Sequence, residues 1–323
     1  MARKRISHYL LLIAAMIVLN FFLPRMIPGS PVARLAGDSV ETMNVEERDR
    51  ILEFYNLDKP LFEQFLIFLK NTFTLNWGKS YSKKLPIFTL FKNALPWTLL
   101  LAVSNIVLSG VIGTVLGAVS AFKRKNGKDK LLVFSILAFS SIPAFWIGMM
   151  LFSVFGVQLR LFPMYGAYSM WSDNTGMAFV VDVLHHLALP LATTVIASVT
   201  SFFTTARYGV LRTIGQDYIK MARMRGVPAR RINVFYVMRN AIIPVLTVMM
   251  SRMGFILGGS LVVERLFSYP GLGLLMSDAV ASKDYPLMQY SFLMTSVMVV
   301  VTTFLADLMH RKLDPSVEVS YEK

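Results

Sequence analysis

The chain has 323 residues, of which 55% are hydrophobic and only 16% charged, with a net charge of +14 and a mean hydropathy of +0.55. Soluble domains carry about a quarter charged residues, so this composition excludes an ordinary aqueous globular protein and makes the bilayer the relevant solvent. The chain has no cysteine, which rules out disulfides, thiolate metal sites and cysteine nucleophiles.

An apolar run of about 20 residues crosses the hydrocarbon as a helix. Six such runs occur, at 8–28, 96–122, 131–156, 187–206, 242–263 and 286–309. Arg3, Lys4 and Arg5 precede the first, but its exit, Leu23-Pro24-Arg25-Met26-Ile27-Pro28, has no small-residue cleavage pattern, so a retained helix is expected. Between the first two runs lies a loop, 29–95, in which Val45 to Tyr55 and Pro60 to Phe73 show helical spacing of apolar residues. It is expected to form a small helical cap outside the membrane; the alternative is helices lying in the lipid interface.

Lys and Arg set the orientation of the spans. The short loop 123–130 holds Lys123, Arg124, Lys125, Lys128 and Lys130, and the loop 207–241 holds eight basic residues. The loop 157–186 holds only Arg160, and 264–285 only Arg265 and Lys283. Both termini and the two basic loops are therefore expected in the cytosol. The loop 29–95, with nine basic and eight acidic residues, is too long to be governed by the rule. With the charge so placed, it answers to topology and membrane lipid, and nucleic acid is not an expected partner.

Within 207–241 the stretch Tyr218-Ile219-Lys220-Met221-Ala222-Arg223-Met224-Arg225-Gly226 has the composition of a short helix closed by glycine, and Val227-Pro228 cannot continue it. A second helical stretch begins at Ala229-Arg230-Arg231-Ile232 and runs toward Pro244. Two short helices around a bend, with small Ala222 beside it, form a knob able to seat in a cleft on another protein. The bland alternative is a basic loop that only enforces topology or touches anionic lipid.

Arg252 lies eight residues beyond Pro244, about 12 Å along a helix at roughly 1.5 Å per residue. An ionised side chain at that depth costs about 2.5–3.5 kcal/mol or more unless it faces water or a partner charge. It either lines a passage and meets anionic groups, or makes a structural bond to a neighbouring chain. Met249, Met250 and Met253 crowd the same helix and serve either as an adaptable passage surface or as packing. Gly113-x-x-x-Gly117 and Gly254-x-x-x-Gly258 read as close helix packing. Beyond the fifth span, Glu264 and Arg265 are expected at a watery outer rim. The Pro270-Gly271-Leu272-Gly273 turn is either a gate, a contact for a delivery protein, or a tight connection.

The chemistry of catalysis is missing from the pattern. There is no Gly-x-x-x-x-Gly-Lys-Ser/Thr phosphate loop, no His-Glu-x-x-His and no Gly-x-Ser-x-Gly. His8, His185, His186 and His310 do not join a carboxylate cluster in sequence. An enzyme, a metal site and a cofactor bound by this chain are not expected.

Several of these stretches, in order, resemble the permease subunits of ABC importers. Those permeases share a loop with Glu-Ala-Ala, a glycine four residues after the second alanine, and a later apolar-Pro exit. Ala222, Gly226 and Ile242-Ile243-Pro244 match it, while Lys220 and Met221 replace the glutamate and first alanine. The 18 positions from Gly226 to Pro244 are similar to the dipeptide, oligopeptide and nickel branch. So are Ile27-Pro28-Gly29-Ser30-Pro31, Tyr55-Asn56-Leu57-Asp58-Lys59-Pro60-Leu61, Trp77-Gly78-Lys79-Ser80-Tyr81, Val263 to Gly273, Lys283-Asp284-Tyr285-Pro286-Leu287 and Leu313-Asp314-Pro315.

The resemblance implies an all-α integral membrane protein of the type I importer permease fold, with six transmembrane helices and an extracytoplasmic helical insertion. Its parts would be 1–28, the insertion 29–95, a core permease domain 96–309 and a tail 310–323. It implies a second homologous permease, two ATPase subunits that bind ATP and Mg, an extracytoplasmic substrate-binding protein, and a bacterial or archaeal cell membrane. Tyr218, Lys220, Met221, Ala222, Arg223 and Gly226 would meet an ATPase. On the residue readings given above rather than on the resemblance, which is silent on Arg252, Met249, Arg252 and Met253 would line the passage, and Glu264, Pro270, Gly271 and Gly273 would form an outer gate or meet the binding protein. Cargo in this branch is di- or oligopeptide, nickel or metal chelates, glutathione, or oligosaccharide. The rivals are a stand-alone secondary transporter, which calls for ionisable pairs or an inverted repeat, and an intramembrane enzyme.

Overall fold

The computed structural model describes residues 2–26, 44–54, 58–124, 127–170, 175–259 and 261–313. The turn 27–31, residues 55–57 and the 314–315 end of the tail motif, named above, lie outside the described residues. So do the side chains of Met253, Gly254 and Gly258.

The described residues form helices and turns. In chain order these are α1 (Ala2–Phe22), α2 (Val45–Phe54), α3 (Leu61–Phe73), α4 (Ile87–Phe122), α5 (Gly127–Ser140), α6 (Ala144–Leu151), α7 (Gly176–Ile214), α8 (Asp217–Met224), α9 (Ala229–Arg231), α10 (Arg239–Gly259), α11 (Leu261–Leu266), α12 (Leu272–Ala281) and α13 (Tyr285–Leu313). Helices dominate because lipid offers no partner for a backbone N–H or C=O, so each segment must satisfy its own. Among the described residues four helices are long and apolar enough to span a membrane: α4, α7, the run Ala229–Arg252 and Tyr285–Leu308. A shorter apolar stretch, Tyr9–Phe22, lies in α1.

The third expected span is not one straight helix. α5 and the helix from Ala144 to Gln158 meet at 96° across Ser141-Ile142-Pro143, giving a broken span or a re-entrant loop. Pro143, with φ −57° and ψ 141°, explains the break: its ring disfavours helical geometry at Ile142. Apolar continuity over 131–156 hid this, because hydropathy does not register a change of direction. The last seven residues, Phe152–Gln158, are π-helical. Pro96, Pro190 and Pro244, by contrast, sit inside continuous helices.

The chain divides into two compact units. The first comprises 1–99, 257–265 and 270–301. In it the Phe21 ring of α1 meets Phe65 and Phe68 of α3 at 5.1 and 5.7 Å, and Trp77 stacks on Tyr290 of α13 at 5.1 Å. The turn after Trp77 is fastened by Asp284, which is fully buried. Its Oδ2 accepts hydrogen bonds from the Ser80 hydroxyl (2.5 Å) and from the Ser82 hydroxyl and N–H (both 2.8 Å). Its Oδ1 accepts from the Leu287 N–H at 3.2 Å and so caps α13. Residues 61–86 are therefore packed within this unit. α3 still leaves Leu61, Phe62 and Phe73 exposed, so an interfacial face also remains.

The second unit comprises 100–256, 266–269 and 302–323. Here α4 and α7 touch backbone to backbone. A Cβ at Gly113 would stand 2.6 Å from the Phe202 Cβ and 2.7 Å from the Val199 oxygen, and one at Gly117 3.0 Å from the Ala206 Cβ. The Gly-x-x-x-Gly spacing is thus a packing device. The opposite stripe of α4, Val103, Val107, Val111 and Val115, is exposed at intervals of four, as a face that meets lipid or another helix should be.

Candidate functional site

α8 begins after Gln216, whose extended backbone (φ −73°, ψ 149°) starts the helix, and carries Asp217 in its first turn. The Lys220 ammonium hydrogen-bonds Asp217 at 2.9 Å and holds its carboxyl below the usual carboxylate range. A negative charge at the first turn also suits the helix dipole.

The helix ends in a Schellman turn. The Gly226 N–H donates to the Arg223 oxygen at 3.0 Å and the Val227 N–H to the Ala222 oxygen at 3.2 Å. Gly226 has φ +74°, the left-handed conformation that a residue with a Cβ adopts only at a cost. No atom lies within 4 Å of where its Cβ would stand. The predicted glycine stop is thus present and conformational in origin.

Ala222 does not protrude. It and Ile219 point inward into an apolar cluster with Ala118, Ala121, Val210, Ile232, Val237 and Ala241. The knob inferred from sequence is therefore an anchor: two residues three apart nail α8 to its own chain. The turn of the helix points Tyr218, Met221 and Met224 outward instead, exposed at 42, 50 and 79%. Lys220, Arg223, Arg225 and Gly226 are exposed beside them. Beside α8 is a cleft of about 470 Å³ whose walls include Phe122, Arg124, Arg223, Ile232 and Asn233.

α8 is tied to the helix that follows. The Asn240 amide donates to the Tyr218 hydroxyl at 2.8 Å and to the Tyr236 carbonyl oxygen at 3.1 Å. Between them runs the π-helical stretch Ile232–Met238, whose wider turns re-aim the chain into α10. At the crossing below, a Cβ on Gly209 would lie 2.9 Å from the Ala241 oxygen. An ion pair that sequence reading missed braces the same unit. Asp129, buried, accepts from Arg207 at 3.0 Å and from the Ser120 hydroxyl, and Arg207 also donates to the Ser120 oxygen at 2.9 Å. The group joins α4, α5 and α7. Nothing in the sequence marks Ser120 among the other hydroxyls, so only the charges of Asp129 and Arg207 gave a signal.

On α10, Met249 is partly buried and its sulfur lies 3.4 Å from where a Cβ on Gly110 would be. Arg252 is partly buried, with its guanidinium carbon 5.8 Å from the centre of the buried Phe202 ring.

The outer turn differs from expectation. Glu264 is fully buried rather than at a watery rim. Its Oε1 accepts from the Thr98 hydroxyl at 3.0 Å, and its Oε2 from the Gly273 and Leu274 N–H groups at 2.7 and 3.2 Å. Thr98 Oγ1 in turn accepts from the Leu272 N–H at 2.8 Å. The carboxylate and the hydroxyl thus take three of the N–H groups that the first turn of α12 leaves unmet. Desolvation of the carboxylate is offset by hydrogen bonds and by the helix dipole. Gly271 and Gly273 are buried against these groups, and a Cβ on Gly273 would stand 2.8 Å from Glu264 Oε2. This burial removes Glu264, Gly271 and Gly273 from any direct contact with a soluble protein in this conformation; Pro270 is partly buried. Arg265 does reach the surface, where it pairs with Asp278 at 2.6 Å; Lys83 meets the same carboxylate at 3.0 Å. Thr98 had no signal in sequence, since it lies 166 positions from Glu264.

Long apolar helices, an exposed and internally anchored helix-turn, and a charged residue carried on a spanning helix define a multi-pass membrane protein of the transport class. Residues 113–319 match the family described as binding-protein-dependent transport system inner membrane component. The chain belongs to that family and is an ABC importer permease of the type I fold. It is similar to a di/tripeptide transport system permease of Pseudomonas aeruginosa (strain UCBPP-PA14), 31% identical over 317 residues and covering 93% of both chains. It is also similar to an oligopeptide transport system permease of Bacillus subtilis (strain 168), 32% identical over 305 residues, again 93% of both. A glutathione transport system permease of Escherichia coli (strain K12) is 31% identical over 302 residues, covering 93% of this chain and 92% of that one. Among solved structures, an amino acid ABC transporter with histidines aligns at a TM-score of 0.47 and 16% identity, covering 70% of this chain and 94% of that one.

Proposed function

We propose that this chain is one of two paired permeases in an ATP-driven importer of di- and oligopeptides. The observation that carries the cargo is the similarity, over 93% of the chain, to di/tripeptide and oligopeptide permeases. A second reading, glutathione, has its own support in the equally extensive similarity to a glutathione permease. Both cargoes are short peptides.

In this reading two ATPase subunits hold the ATP and Mg, and this chain binds neither. One ATPase docks on the face of Tyr218, Lys220, Met221, Arg223 and Met224, with Arg225 and Gly226 at its edge. Met side chains suit such a surface because they adapt to their partner, and the arginines add charge complementarity. Closure of the ATPases pushes α8. The anchors Ile219 and Ala222 and the Tyr218–Asn240 hydrogen bond carry that push into α10. The two states of the passage are then populated according to which one the closed ATPases bind better. An extracytoplasmic binding protein delivers cargo, with 29–95 as the outer insertion and 310–323 as a tail. Both termini and α8 lie in the cytosol of a bacterial or archaeal cell.

The test is uptake of a labelled dipeptide and of labelled glutathione by vesicles carrying the chain with its copurifying partners. ATP-dependent uptake of the dipeptide supports the reading. Uptake of glutathione alone selects the second reading. Uptake driven by an ion gradient without nucleotide sinks both.

A further inference from the structure

Arg252 is a charge in a membrane-spanning run, on a helix whose most apolar window is only 22% buried inside the chain. Among the described residues it has neither a hydrogen bond nor an ion pair. Its one contact of that kind is the face of Phe202 at 5.8 Å. A cation over an aromatic face keeps its N–H groups, which point outward in the guanidinium plane, free for another partner.

The acids described in the same unit are engaged elsewhere. Asp129 holds Arg207, Asp217 holds Lys220, and Asp182 takes Ser169 and His186. Asp307 also has an interaction of its own. The chain thus places a guanidinium at a depth where exposure to hydrocarbon costs about 2.5–3.5 kcal/mol or more, and matches it with no described carboxylate. A second unmet polar group lies on the neighbouring helices. One turn from Phe202 along α7, the Ser198 hydroxyl accepts from the Asn105 side-chain amide at 3.4 Å, and the buried Oδ1 of that amide has no partner among the described residues. Polar groups in a span belong on the side that faces protein or water rather than lipid.

We infer that Arg252 is the group in the passage that recognises anionic cargo, and that its partners are the side-chain carboxylates of acidic peptides in transit. The inference rests on the peptide-importer reading above and gives that passage a charge preference. Phe202 backs the guanidinium without taking its donors, so the fork is left for a passing carboxylate. The contact has to be transient, since a site that held cargo tightly would block the route.

The experiment uses the whole complex in liposomes with its binding protein. The cargoes are three labelled alanine tripeptides with glutamate, glutamine or lysine at the centre. The binding protein's own preferences cancel when uptake by Arg252→Gln is divided by wild-type uptake for each peptide. Loss of one charge-assisted hydrogen bond, about 1.4 kcal/mol, predicts a ratio for the glutamate peptide about tenfold below that for the lysine peptide, with the glutamine peptide between. Arg252→Lys, which keeps the charge, is expected to recover most of the loss. Equal loss for all three peptides, no loss, or breakup of the complex by Arg252→Gln makes the arginine a structural group and overturns the assignment. Wild-type complex that imports none of the three overturns the peptide reading itself.

Discussion

Two glycine turns of this chain look alike in sequence and work in opposite ways. At Arg225-Gly226-Val227 the glycine stands in the open with φ +74°, and what it supplies is a conformation. At Pro270-Gly271-Leu272-Gly273 the glycines are buried, and what they supply is space for Glu264 and Thr98 to reach the start of α12. The first turn ends a helix whose outer face is exposed Tyr, Met and basic side chains. The second closes a buried fastening. A glycine motif therefore does not by itself separate an interface from a core; what would surround the missing Cβ does.

The contrast breaks first at Gly271. Gly271→Ala would drive a methyl group into the Glu264 carboxylate and Thr98 hydroxyl, and overpacking of this kind costs about 1–3 kcal/mol before the lost hydrogen bonds are counted. A clear drop in unfolding temperature of the purified complex is expected; an unchanged value would show that the turn has room. Thr98→Val tests the same fastening without added bulk. It leaves the Leu272 N–H unpaired, at about 1–3 kcal/mol, while Thr98→Ser should stay near wild type by the same measurement.

At the other turn the expected effects fall on coupling. Met221→Glu puts a charge on the proposed docking face, and loss of about 2 kcal/mol of binding there reduces ATP-driven uptake by more than tenfold. Its exposure keeps the stability change within about 0.5 kcal/mol. Parallel loss of stability and uptake would instead make Met221 part of the core. Smallest is Gly226→Ala. With nothing within 4 Å it meets no overlap and bears only the left-handed conformation, about 1 kcal/mol. Amide exchange should rise at Gly226 and Val227 and leave α12 unchanged; a drop in global stability as large as that of Gly271→Ala would erase the distinction.

Much of the helical layout was legible, because twenty apolar residues and their basic flanks are a local signal. The Schellman turn at Gly226 was legible for the same reason: helix former, glycine and proline occur in one short stretch. The bend at Ser141-Ile142-Pro143 was written in Pro143, but proline also sits inside α4, α7 and α10 without breaking them. Whether proline interrupts a span depends on its neighbours in space. The direction of Ala222 was illegible, since Ala118, Val210 and Ala241 decide which side of α8 is inside. Glu264 was visible as a charge near an outer loop, yet its burial depends on a threonine from another helix. Charge near a predicted rim is read as exposed by default, and only a distant partner overturns that.

Asp284 gives the 80–82 turn a mechanical role. One carboxylate grips the 80–82 turn with Oδ2 and the first turn of α13 with Oδ1. Hydrogen bonds weaken steeply once stretched or bent from their preferred geometry, so this joint has little slack. A load on the 80–82 turn is delivered to the head of a 29-residue helix, about 43 Å long at 1.5 Å per residue. The 80–82 turn and the first turn of α13 are thus pinned together at one carboxylate, and neither can shift without the other.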